Sequence, residues 1–253
     1  MQILEYGDIT KEKIILIHGF ESPYQIWEKY ILEYEKDYHI LIPILPGHNP
    51  NDIEEFITFD KICEDIENYI LEKYNKNIHT VYGMSMGGIV ASILIERGKI
   101  NIKNIIIESS LLVSYGKFMT KMLTKQYLKM THKTQTRNKK LIKQALSSMI
   151  QKKYLYNFLD LIDNISDSNI VNYLKAISKY KIPSDLNFDN IKLYYFHGTK
   201  INEMYAKKSA KFIKENYPFA NVICLKNKGH CEDSLMNPHI MIERIKKIIP
   251  TTK

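Results

Sequence analysis

The ten residues from His79 to Gly88 read His-Thr-Val-Tyr-Gly-Met-Ser-Met-Gly-Gly and constrain this chain more than any other stretch. A short apolar run gives way within one residue to a small-residue helical run. Gly83, Ser85 and Gly87 stand there at G-x-S-x-G spacing, that of a serine on a sharp strand-to-helix elbow. The elbow holds the serine in a strained backbone conformation and crowds the positions two residues to either side. Glycine there removes the Cβ that would collide. The chain must therefore bring a strand in and lead a helix out.

The rest of the sequence repeats that alternation. Residues 14–18 form a continuous apolar run, as expected of a strand buried on both faces. A helix is predicted over 24–36 with Pro23 in its first turn, then a strand over 39–45 whose Pro43 weakens its later half or places it at the sheet margin. Apolar positions at Ile62, Cys63, Ile66, Tyr69 and Ile70 predict a helix within 60–75. The elbow helix is expected from Met86 to Arg97 with Gly98 ending it, and a strand follows at 105–107. Strands are expected again at 192–196 and 221–225. A helix over 203–216 lies between them, and a last one is capped by Asn237 and Pro238. Strands separated by helices imply a mostly parallel sheet covered on both faces. Residues 1–112 and 186–253 are read as this α/β core, and 113–185, without a strand signal, as a helical cap inserted into it.

Charge sets the insert apart. Between Glu108 and Asp160 there are eleven Lys and Arg and no acid, so the net charge of +8 belongs to this segment and the remainder is slightly acidic. Three cysteines without C-x-x-C spacing argue against a disulfide scaffold or zinc ribbon and favour a reducing compartment. No basic leader or long apolar run is visible, so the cytoplasm is the expected location. Phosphate-loop, dinucleotide and H-E-x-x-H motifs are absent, so neither cofactor nor metal is expected.

Ligands of an open parallel sheet bind beyond the carboxyl ends of its strands, which selects His18 to Phe20, Pro46 to His48, Ser85, Glu108, the loop after Phe196 and His230. A serine hydroxyl needs a base within hydrogen-bond reach, and His230, just past the last strand, is the candidate. The rivals His18 and His48 also end strands. Glu203, the only acid in the loop after Phe196, would orient the histidine, with Glu108 as the alternative. Two convergent N–H donors would complete the set, those of Met86 at the helix start and Phe20 in the His18-Gly19-Phe20 loop.

This constellation resembles the α/β-hydrolase family over residues 1–112 and 186–253, above all its small bacterial serine esterases and lipase-like members with an inserted cap. The resemblance implies Ser85 as nucleophile, His230 as base, and Phe20 and Met86 as oxyanion donors. Where that family often carries its acid, this chain has Ile201, and Glu203 stands two residues further on. The expected reaction is hydrolysis of a carboxylic ester, or a related thioester or amide, through an acyl-enzyme. The expected partner is a small acyl substrate. The alternative is a hydrolase fold kept as a binding or sensor module.

In the insert Lys117, Lys121, Lys125, Lys129 and Lys133 recur every fourth residue, a stripe of like charge on a helix. Met119, Met122, Leu123, Tyr127 and Met130 fall mostly on the other side, and Met119, Met122 and Leu123 are assigned to the acyl pocket, which adaptable methionines suit. The first reading is thus a cap helix with a solvated basic back. A basic, methionine-rich helix docking on an anionic membrane is the second. No nucleic-acid module is recognisable, and oligomeric state is left open.

Overall fold

The computed structural model describes residues 1–51 and 54–249, so both core segments as read from sequence include a few residues outside it. Strand β1 (Gln2–Tyr6) precedes β2 (Lys13–Ile17). A 3-10 turn at Tyr24–Trp27 then leads into α1 (Glu28–Tyr34) and β3 (His39–Ile44). Next come α2 (Phe59–Lys73), β4 (Asn77–Met84), α3 (Met86–Arg97) and β5 (Asn101–Glu108). Four helices fill the insert: α4 (Lys117–Gln135), α5 (Lys139–Ser148), α6 (Leu155–Asn164) and α7 (Asp167–Lys179). The core resumes with β6 (Lys192–Gly198), α8 (Met204–Asn216), β7 (Asn221–Leu225), α9 (Glu232–Met236) and α10 (Pro238–Ile248).

The seven strands form one sheet in the order β1-β3-β2-β4-β5-β6-β7, parallel except for β1. Its central strands carry near-continuous apolar runs because both faces are covered. Ile15, Ile17, Val81, Ile105, Ile107 and Tyr195 face α2, α3 and α8. Their alternates Ile14, Leu16, Tyr82, Ile106, Tyr194 and Phe196 face Trp27, Tyr30 and Tyr34 around α1, and α10. The period of two along a strand thus divides one apolar run between two cores.

Several expectations are revised. β3 is not the sheet margin, since β1 pairs with it antiparallel with Ile3 opposite Pro43. The parallel ladder from β2 reaches β3 only at Leu41, so the proline lies past its end. Asn237 precedes α10 without a side-chain cap bond, because it also terminates the short helix α9. Gly98 does end α3, in a left-handed conformation at φ 60°.

The insert is fastened along the carboxyl ends of the strands. Thr131 of α4 donates to Glu21 after β2 at 2.7 Å, and Tyr173 of α7 donates to the Pro46 carbonyl after β3 at 2.9 Å. Gln151 donates to the Leu235 carbonyl of α9 at 2.8 Å. Helix α7 also buries Ile170, Leu174 and Ile177 in the core that holds α2 and α3. No helix among the described residues is long and apolar enough to cross a membrane.

Candidate active site

Ser85 sits between β4 and α3 with φ 51° and ψ −115°, a strained backbone for a residue with a side chain. Its N–H donates to the Glu108 carbonyl at 2.8 Å, so β5 holds the turn from beside it. A Cβ on Gly83 would lie 2.3 Å from the Gly87 carbonyl oxygen, and one on Gly87 would lie 2.3 Å from that of Ile17. Both contacts are with backbone, so glycine is the only side chain the elbow admits at either position.

His230 leaves the loop after β7 and returns to the serine. Its Nε2 lies 2.8 Å from Ser85 Oγ, and its Nδ1 lies 2.8 Å from Glu203 Oε1. Glu203 reaches this place through a 3-10 turn at Ile201–Glu203, which leaves Ile201 85% exposed and Glu203 wholly buried. The turn explains how an acid two residues later than usual still meets the histidine. Its other oxygen accepts the Gly198 N–H at 2.7 Å and the Ser109 hydroxyl at 2.8 Å. Burial pushes this carboxyl up, but the hydrogen bond and charge of His230, with the Gly198 and Ser109 donors, outweigh it and hold the group below its ordinary range. Such an acid stays ionised and fixes the imidazole with Nδ1 protonated and Nε2 free to accept.

Glu108 is brought close but faces elsewhere. Its carboxylate Oε2 accepts from Tyr82 and Ser234 on the α1 side of the sheet, and Oε1 has no partner among the described residues. Burial pushes its pKa up to about 7 against the two donated hydrogen bonds. Beside the histidine, the Cys231 thiol is buried and pushed well up in pKa for the same reason, so it is no competing nucleophile.

Gly19 abuts the serine: a Cβ there would stand 3.3 Å from that of Ser85. The following residue, Phe20, belongs to a loop held by the two rival histidines. His18 Nε2 accepts the Leu45 N–H at 3.1 Å while its Nδ1 donates to the Gly19 carbonyl. His48 Nε2 accepts the Glu21 N–H at 3.1 Å and its Nδ1 donates to the Pro46 carbonyl. Burial pulls their pKa values down to about 4 and about 3, so both are neutral struts. Met86 is the first residue of α3, where the N–H is free of the helical ladder and carries the positive end of the dipole.

The insert covers this loop with aromatic rings. Phe20 packs against Tyr127 of α4 at 5.7 Å and Tyr173 of α7 at 5.4 Å. Of the methionine set assigned to the pocket, Met119 and Leu123 are half-buried, and Met122 is 44% exposed on the lysine side. The inward face of α4 is formed by Tyr127, as expected of that side, together with Thr131 and Thr134. His48, a rival for the base, is a strut instead, and nothing in the sequence marks Ser109 or Glu21 as polar partners. A second positive-φ serine straight after Glu108, with φ 53°, is a conformation that residue type does not announce. Among the described residues no cluster of His, Cys, Asp and Glu forms a metal site.

A family model described as the alpha/beta hydrolase fold matches residues 13–199. No curated protein matches the chain in sequence. Solved structures do match in shape. An alpha/beta hydrolase family protein from Desulfitobacterium hafniense superposes with TM-score 0.77 at 18% identity, covering 98% of this chain and 99% of that one. A carboxylesterase structure from Nitrososphaera gargenis gives 0.76 at 17% identity, over 98% and 93% of the two chains. A marine microorganism esterase gives 0.72 at 17% identity, over 97% and 98%.

Proposed function

Because this chain belongs to the α/β-hydrolase family, we propose that it is a serine hydrolase that cleaves carboxylic esters through an acyl-enzyme. The observation that carries this reading is the continuous path from Glu203 Oε1 through His230 to Ser85 Oγ, with 2.8 Å at each step. His230 Nε2 takes the serine proton as Oγ attacks the ester carbonyl carbon, and Glu203 stabilises the imidazolium that results. The Phe20 and Met86 N–H groups hold the oxyanion of the tetrahedral intermediate. The imidazolium then protonates the departing alcohol, leaving the acyl group on Ser85. Water, deprotonated by the same histidine, attacks that acyl group and frees the acid.

The rings of Tyr127 and Tyr173 over Phe20 favour an apolar acyl group of short to medium length in preference to a charged one. The three unpaired cysteines, with Cys224 exposed, suit a reducing cytoplasm.

A fluorophosphonate probe tests the reading, since it traps an activated serine covalently. The wild-type protein should be labelled and turn over an aryl ester, and Ser85→Ala should do neither. Absence of labelling in folded wild-type protein, or equal labelling of the alanine variant, would overturn it.

A further inference from the structure

Helices α4 and α7 diverge on the outside of the insert around a groove of about 750 Å³. Its lining includes Lys117, Lys121 and Lys125 from α4 and Lys175 and Lys179 from α7, together with the apolar surface of Tyr115 and Leu128. None of these five lysines has an ion-pair partner among the described residues; the basic groups of the insert that do find one lie further along, His132 with Asp167, Arg137 with Asp163 and Lys153 with Glu28. Five unneutralised ammonium groups around one concavity attract an anion, and nothing in the fold requires them there.

Apolar side chains stand among the lysines. Phe118 is 79% exposed and Met122 is 44% exposed, and both project from the lysine side of α4. Residues 117, 118, 121, 122 and 125 cover one sector of the helix at 100° per residue, opposite the stripe of Tyr127, Thr131 and Thr134 that faces the core. A soluble cap with a solvated back has no use for a phenylalanine at the centre of its charged face. That combination of cations and an exposed aromatic is how a helix lies in a lipid–water interface. The groove also adjoins the catalytic end of the sheet: Tyr115 stacks at 5.1 Å on Tyr205, two residues beyond Glu203.

We infer that the outer face of α4 and α7 docks this protein on an anionic phospholipid surface, with headgroup phosphates in the lysine groove and Phe118 in the acyl boundary. The inference stands on charge, exposure and the shape of the groove, independently of the ester chemistry. Each lysine at such a surface strengthens partitioning about fivefold at low salt. Reversing three of them should therefore weaken it about a hundredfold or more, and removing the Phe118 ring about tenfold.

Co-sedimentation of the full chain with vesicles tests this. Vesicles of phosphatidylcholine with about 30 mol % phosphatidylglycerol should retain the protein, and pure phosphatidylcholine should not. Raising salt from about 0.1 M to about 0.5 M should release it. The triple variant Lys121→Glu, Lys125→Glu, Lys179→Glu and the single variant Phe118→Ala should lose retention while keeping thermal stability and aryl-ester turnover, since all four side chains are exposed. Retention that ignores lipid charge, or that survives the triple variant, overturns the proposal. So does saturable binding of inorganic pyrophosphate by a protein that no vesicle retains, which would make the groove a site for a soluble anion.

Discussion

Ser109 donates its hydroxyl to Glu203 at 2.8 Å and, through the same oxygen, accepts the Cys231 N–H at 3.2 Å. One side chain thus ties the acid of the candidate triad to the residue that follows its histidine. Ser109→Ala removes a donor from an ionised, buried carboxylate, so its pKa rises. The sign follows directly: a carboxylate that binds a proton more tightly also pulls harder on the Nδ1–H of His230, and so favours the imidazolium over the neutral base that takes the serine proton. The acid limb of the kcat/KM profile should therefore move to higher pH in Ser109→Ala, with kcat about tenfold lower at pH 7, the equivalent of one charged hydrogen bond. An unmoved acid limb would show that the hydroxyl only fills space.

Glu108 and Glu203 stand at neighbouring strand ends yet differ in state, which separates them experimentally. Glu203→Gln should lower kcat by about 10³–10⁴-fold, because the imidazole loses the partner that fixes its tautomer. Glu108→Gln should leave turnover within about threefold, since its carboxyl faces Tyr82 and Ser234, and threefold is well under 1 kcal/mol. The reverse pattern would make Glu108 the acid.

Stability gives a second reading of the same residue. With its pKa raised from 4.5 to about 7 by burial, Glu108 takes up a proton on folding. Its stabilisation is complete below 4.5 and is lost as pH climbs through 7. The melting temperature of Glu108→Gln should therefore gain on the wild type between pH 5 and 8, by roughly 5 °C. A difference that stays flat with pH would show the carboxyl to be ionised throughout.

The positions of Ser85, His230 and Glu203 in chain order were legible because each ends a strand or follows one, and strand ends are visible as apolar runs. The elbow was legible for a steric reason that only glycine satisfies. Other features carried no such mark. β1 is a five-residue edge strand that needs β3 as its partner, and α9 is a single short turn whose residues have no helical period. Glu203 could be named but its reach could not, since a 3-10 turn and an α turn read alike in sequence. On the inward face of α4, Tyr127 was legible but Thr131 and Thr134 were not, and Met122 turns outward, because methionine, tyrosine and threonine all suit a half-buried helix and only the neighbours decide which turns in.

His48 should matter without touching substrate. It accepts the Glu21 N–H at 3.1 Å, next to the proposed oxyanion donor Phe20, and packs on that ring at 5.7 Å. His48→Phe keeps an aromatic ring against Phe20 and Tyr173 but leaves a buried N–H unpaired, at about 1–3 kcal/mol. The loop should then hold its donor less firmly. The expected outcome is a kcat reduced about tenfold with KM nearly unchanged, short of the 10²–10³-fold loss for deleting an oxyanion donor outright. An effect on KM alone would place His48 in substrate binding instead.

The elbow itself offers the most severe steric test. A methyl group on Gly83 would meet the Gly87 carbonyl oxygen at 2.3 Å and its carbon at 2.5 Å. Neither atom has a rotamer to yield, so relief must come from moving α3 away from β4 and with it Ser85. Gly83→Ala should cost about 1–3 kcal/mol or more, lowering the melting temperature by roughly 5–10 °C. Fluorophosphonate labelling should fall with it even at temperatures where circular dichroism shows the variant folded, because the displaced serine no longer meets His230 Nε2. Gly98→Ala serves as the control at the other end of α3, where an added Cβ meets nothing nearer than 3.9 Å but must adopt φ 60°. It should lose stability, by about 1 kcal/mol, and keep full labelling. Equal labelling in both variants would mean that the close approach at Gly83 is not what places the serine.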